Sequence, residues 1–210
     1  ILMDNMNRVI ILEKMSLFKL HLFQNDHPAH IIHQYSIDKS KLTKFVEKIS
    51  SFNKSKLKTV EYISKSRTQF LPYSSIILDE IMSITNPKKI ICSISGLREG
   101  SLSIDHFKNT KESEIFTKSI EYIALKRGDL GSTYQKYFKF ILPVFDGNEH
   151  YNKKLLHLAC VLSHMDWGLG AFQKAELVFQ ETLNTPLLRL THKERIQLAL
   201  SCYWRYCSIK

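Results

Sequence analysis

At 210 residues and 44% hydrophobic content, the chain has room for one large domain or two small ones and enough apolar residues for a buried core, which excludes a disordered or coiled-coil protein. The net charge is +10, but 23 of the 30 basic residues are Lys, scattered through Ser-, Asn- and Ile-rich surroundings instead of forming an Arg-dense stripe with interleaved aromatics, so nucleic acid is not an expected partner. No apolar window reaches the roughly 18 residues that a membrane span needs, and the opening residues lack the basic-then-apolar layout of a signal peptide; no membrane partner and a cytoplasmic location are expected.

Residues 3–23 read as a helix, because Val9, Leu12, Met15, Leu20 and Phe23 recur at steps of three to five. Its start on Ile1, inside that helix, points to a start codon other than ATG or to a chain cut from a longer one. Asn25-Asp26-His27-Pro28 breaks the helix, residues 30–37 read as a strand, and Asp38 caps a helix from 40 to about 51 whose inner face is Leu42, Phe45, Val46 and Ile49. A Lys/Ser/Asn-rich connector follows at 53–58 as an exposed loop or frayed helix end. His27, His30 and His33 are the residue type that binds zinc, but alternation along a strand sends His30 and His33 to opposite faces and Pro28 interrupts a helix, so no metal site is expected there.

A turn near Ser64-Lys65-Ser66, an amphipathic helix over 70–84 and the turn Asn86-Pro87-Lys88 lead to a β-branched run that reads as the strand Lys89–Ser93. The strand empties into Gly96-Leu97-Arg98-Glu99-Gly100, where one Arg and one Glu lie between two glycines that permit positive φ and close backbone approach. Open α/β sheets place ligands at such loops.

From Ser101 onward the strand signal disappears. Helices are expected over Glu112–Lys126, ended by Arg127-Gly128-Asp129 as a C-cap and turn, over 134–144 up to Pro143, over 153–167, over 175–183, and over 193–207 behind a Thr191/Glu194 capping box. The division expected is 1–104 and 105–210. Cys92, Cys160, Cys202 and Cys207 form no C-x-x-C pair and read as free thiols of a reducing compartment.

The string Ser93-x-x-Gly96-Leu97-Arg98-Glu99-Gly100, with Arg67 and Pro72 upstream of a helix, resembles the exopolyphosphatase / guanosine-pentaphosphate phosphatase family (Ppx/GppA phosphatase). Pro28-x-His30-x-Ile32-His33-x-Tyr35 is similar to the strand that alphaproteobacterial-type members carry before a helix, and Ala159-Cys160-x-Leu162-Ser163-x-x-x-Trp167 to the start of their C-terminal helical domain. The resemblance implies an α/β plus α chain: the C-terminal part of an actin-like (RNase H-like) domain, then an all-α domain resembling a degenerate HD-type helical domain. It also places the Gly96, Arg98, Glu99, Gly100 loop near the interdomain cleft as a substrate-binding element, with Arg98 offering its planar fork to phosphate oxygens or pairing with Glu99 to hold the loop.

The HD signature requires His followed by Asp, whereas this chain has Ser163-His164 with Asp166 two residues on, so no metal site is expected; His157 reads as a core histidine. No P-loop, G-x-G-x-x-G, H-E-x-x-H or G-x-S-x-G string occurs. The family's glycine-rich phosphate loops and its general-base Glu lie N-terminal to everything matched, and with only seven glycines the chain builds no such cluster. No catalytic residue is therefore assigned.

The function implied is that of the C-terminal portion of a phosphoanhydride hydrolase that releases terminal phosphate from polyphosphate or guanosine pentaphosphate. Magnesium is expected for the complete family enzyme and none for this chain alone, with substrate held through the missing half. The alternative is a non-catalytic helical interaction or dimerisation module, with a homodimer as its assembly.

Overall fold

The computed structural model describes residues 2–4, 8–12, 16–94, 101, 112–128, 133–145, 152–162, 170–185 and 190–207, with 2–4, 8–12, 112 and 113 described by backbone alone. The chain divides into two compact units, Ile1–Asp105 and His106–Lys210.

Unit 1 is built on a four-stranded sheet of order β1-β2-β4-β3. Strand β1 (Leu2–Asp4) pairs antiparallel with β2 (Arg8–Leu12), β2 pairs parallel with β4 (Lys89–Ser93), and β3 (Ser36–Asp38) closes the other edge antiparallel to β4. The single helix expected over 3–23 is thus two strands followed by α1 (Ser16–Gln24). Val9-Ile10-Ile11-Leu12 is a continuous apolar run, three of its four residues β-branched, of the kind that fills a central parallel strand, and apolar spacing alone does not separate that from a helix.

The strand expected over 30–37 is also corrected, because only Ser36–Asp38 is regular. Gln34 has φ 62°, a left-handed conformation that no strand residue holds. Pairing with β4 continues past β3, but through two residues on one partner: Gln34 N donates to Cys92 O at 2.7 Å and Cys92 N donates to Tyr35 O at 2.9 Å. That is the signature of a bulge, which ends the strand and re-aims its neighbours.

Helix α2 (Lys39–Ser50) buries Leu42, Phe45, Val46 and Ile49, and Asp38 occupies its N-cap position without a side-chain hydrogen bond. The expected loop at 53–58 contains a short helix, α3 (Lys54–Lys58), started by Asn53 Oδ1 accepting from Lys56 N at 3.0 Å. The turn expected at 64–66 is one helical turn, α4 (Lys65–Thr68). Helix α5 (Leu71–Thr85) carries Pro72 in its first turn and ends at Asn86, φ 42°, whose N–H returns to Met82 O. Leu17, Phe18 and Leu20 of α1, the inner face of α2, Leu71, Leu78 and Met82 of α5, and Ile37, Ile90 and Cys92 of the sheet form one core. Full burial of each large side chain contributes about 2 kcal/mol.

Among its described residues unit 2 is helical: α6 (Glu112–Lys126), α7 (Thr133–Phe145), α8 (Lys153–Leu162), α9 (Ala171–Asn184) and α10 (His192–Trp204). Pro143 lies inside the last turn of α7 instead of ending it. The 163–167 part of the helix expected over 153–167 lies outside the described residues. Ile120, Tyr134, Leu158, Val178, Leu190, Leu198 and Cys202 share a core distinct from that of unit 1. The capping box is formed, with Glu194 N donating to Thr191 Oγ1 at 3.2 Å and Thr191 N donating to Glu194 Oε2 at 2.8 Å.

Two arginines tie unit 2 together. Gly128, φ 75°, ends α6, and Arg127 beside it donates Nη1 to Leu162 O and Nη2 to Glu181 Oε2, both at 2.7 Å. Arg195 is fully buried in α10 and its Nη1 reaches Leu183 O at 3.3 Å and Thr185 O at 2.5 Å. A cation thereby satisfies the last carbonyls of α9 at the negative end of its dipole.

Candidate phosphate-binding cleft

Because β2 and β4 are parallel and paired from Arg8↔Lys89 to Leu12↔Ser93, their carboxyl ends lie at the same level. Ligands of open α/β sheets bind at that edge. A cleft of about 330 Å3 lies there, lined by Ser16 and Lys19 from the start of α1, Tyr62, Ser64 and Arg67 from the segment around α4, and Ile94 directly after β4. Its lining residues carry one ammonium, one guanidinium and three hydroxyls, and no carboxylate is among them.

Local packing fixes this set. Ser64 O accepts from Arg67 N at 2.8 Å and from Thr68 N at 3.0 Å, so the turn of α4 aims Arg67 from a defined base. Tyr62 has φ 65°, a left-handed conformation that costs a non-glycine residue about 1–2 kcal/mol, and its ring lies flat on Phe23 with centroids 4.2 Å apart. Lys19 Nζ sits 5.8 Å from the centroid of the same Phe23 ring. A cation over an aromatic face and a guanidinium on a single helical turn suit phosphate oxygens, the guanidinium by its fork and the ammonium as a point charge.

The donor set does not suit magnesium. That ion seeks oxygen ligands, with one or two carboxylates and water, whereas two cations repel it.

The three histidines serve three different partners. His33 is buried and its Nδ1 accepts the backbone N–H of Ile94 at 3.3 Å, fixing the residue that follows β4. His30 packs on Phe23 at 4.5 Å, and His27 meets Tyr35 edge-on at 5.4 Å. In unit 2, His157 stacks on Phe138 at 4.4 Å, and burial, with Lys153 beside it, holds its pKa below the ordinary imidazole value. Gly96, Arg98, Glu99 and Gly100 lie outside the described residues, as do Ser163, His164 and Asp166.

Residues 14–107 match the Ppx/GppA phosphatase family. This segment belongs to that family. It takes in Lys19, Ser64, Arg67 and residues 96–100, and covers unit 1 from residue 14 onward. Family membership implies an actin-like, RNase H-like domain and the chemistry of a phosphoanhydride hydrolase. No curated protein matches the chain.

Sequence reasoning singled out Arg67 and the glycine loop but missed Ser16, Lys19 and Ser64. Lys19 is an exposed position between the buried Phe18 and Leu20 of α1, where a lysine is ordinary, so neither it nor the hydroxyls carried a local signal.

Proposed function

We propose that unit 1 forms a phosphate-holding wall of a phosphoanhydride hydrolase whose substrates are polyphosphate or guanosine pentaphosphate. The supporting observation is the lining of one strand-end cleft by Lys19, Arg67, Ser16 and Ser64 within the family segment. The family resemblance adds Arg98, which lies outside the described residues, as a further guanidinium for phosphate oxygens. The segment is the C-terminal portion of an actin-like domain, and unit 2 is a helical domain of degenerate HD type in which Ser163-His164 replaces His-Asp.

Hydrolysis of a phosphoanhydride requires backbone amides around the transferring phosphoryl and a base for the attacking water. The sequence offers neither a glycine-rich phosphate loop nor a base in the cleft. The 210-residue chain therefore binds phosphate and turns it over only when another polypeptide segment supplies those groups. Incubated with polyphosphate and magnesium, the chain should release no phosphate above a buffer control. Release that disappears in Arg98→Ala would show that the chain is a complete catalyst.

A further inference from the structure

Helix α5 has two apolar sides. Leu71, Leu78 and Met82 are buried in the core of unit 1, whereas Phe70 at the N-cap position, Tyr73, Ile76, Ile77 and Ile84 are each more than half exposed. At about 100° per residue the exposed five fall within about 120° of one another, on the side opposite the buried three. Glu80 is exposed on the same stripe, and α5 contains no basic residue.

The order of these residues indicates what covers them. About a midpoint between Ile76 and Ile77 the stripe reads alike in both directions: an isoleucine on either side, then Tyr73 and Glu80 at equal distances, then Phe70 and Ile84 at the ends. An antiparallel second copy of the helix therefore sets Tyr73 opposite the partner's Glu80, and Glu80 opposite the partner's Tyr73. Each phenol donates to a carboxylate, a charge-assisted hydrogen bond made twice by the two-fold symmetry, so the one charge on the stripe gains a donor. Ile76 meets the partner's Ile77, and Ile84 meets the partner's Phe70. A parallel pair would instead oppose Glu80 to Glu80, which repels. Within one helix Tyr73 and Glu80 are about 10.5 Å apart along the axis, too far to satisfy each other.

Five residues of this size, each more than half exposed, leave on the order of 500 Å2 of apolar surface per copy, and about 1,000 Å2 across a pair reaches the size of a weak, reversible interface. We propose that the chain pairs with a second copy of itself through antiparallel contact of the two α5 helices, in the register that joins Tyr73 of each copy to Glu80 of the other.

Sedimentation velocity of the full chain over a wide range of protein concentration tests this, with circular dichroism to check that each variant keeps its fold. The parent should pass from monomer to dimer as concentration rises, and Ile77→Lys should remain monomeric. Tyr73→Glu opposes two carboxylates at each end of the contact and should weaken pairing at least tenfold. Adding Glu80→Lys to Tyr73→Glu restores opposite charges only in the antiparallel register and should bring the dimer back to within about threefold of the parent. Non-specific stickiness of an apolar face predicts no such recovery. A parent that stays monomeric throughout, a dimer that persists in Ile77→Lys or Tyr73→Glu, or a double variant that fails to recover would overturn the proposal.

Discussion

The imidazole of His33 accepts the backbone N–H of Ile94 at 3.3 Å across 61 residues of sequence. This bond joins the irregular segment before β3 to the residue that follows β4, at the edge of the cleft where phosphate is proposed to bind. Replacing His33 by Phe keeps the ring volume and removes the acceptor. The expected outcome is a loss of about 1 kcal/mol of stability by urea titration, with pyrophosphate affinity reduced as well. Asn at this position, which retains an acceptor, should recover part of both.

Arg195 holds the end of α9 from within the core of unit 2. Burial lowers its pKa to about 10, which leaves it cationic at neutral pH. Arg195→Met should cost about 3 kcal/mol, because the carbonyls of Leu183 and Thr185 lose their donor in a buried setting. Arg195→Lys should recover little, since one ammonium does not reproduce the planar fork. Thermal unfolding of both variants gives the comparison.

The acid limb of the stability profile should have two contributors in unit 2. Glu194 is pushed up by partial burial, but hydrogen bonds from Thr191 and Asn152 and the charge of Lys154 outweigh this and leave its pKa below the ordinary value. A depressed carboxyl pKa stabilises above the unfolded value, and that stability disappears as pH falls through the folded one. His157, also depressed, remains neutral in the fold while the unfolded chain takes up a proton, so stability falls as pH drops below about 6.5. Melting temperature followed from pH 8 to pH 4 should show a shallower decline near pH 6 in His157→Phe and near pH 4 in Glu194→Gln.

Helix α5 exposes Tyr73, Ile76, Ile77 and Ile84, all more than half accessible. A surface of this kind favours self-association over stability. Ile77→Lys should change unfolding free energy by no more than about 0.5 kcal/mol while lowering light scattering at high protein concentration. A destabilisation above 2 kcal/mol would show that the face is packed.

Elements whose local chemistry was unambiguous were legible from sequence. Lys89–Ser93 has β-branched residues between a Pro-containing turn and a Gly/Ser cluster, and Glu112–Lys126 has both a helical apolar period and a glycine stop. Val9 to Leu12 was not, because its apolar run satisfied a helical spacing and a central strand alike; only the partner strand β4, some eighty residues away, decides between them. The positive φ of Gln34 was equally hidden, since nothing in Gln itself calls for a left-handed backbone. At the site, the family string pointed to the edge of the sheet after β4. Lys19 and Arg67 come together there through the parallel pairing of β2 with β4 and the turn at α4, which are tertiary facts.

The central claim is that the cleft at the carboxyl end of β4 holds phosphate. Calorimetric titration of inorganic pyrophosphate into the full chain reads that cleft. Adding Arg67→Gln should weaken binding about tenfold or more, as expected for the loss of one charge-assisted hydrogen bond of about 1.5–3 kcal/mol. Adding Lys19→Gln should weaken it further. Pyrophosphate affinity that is unchanged by both substitutions would contradict the account.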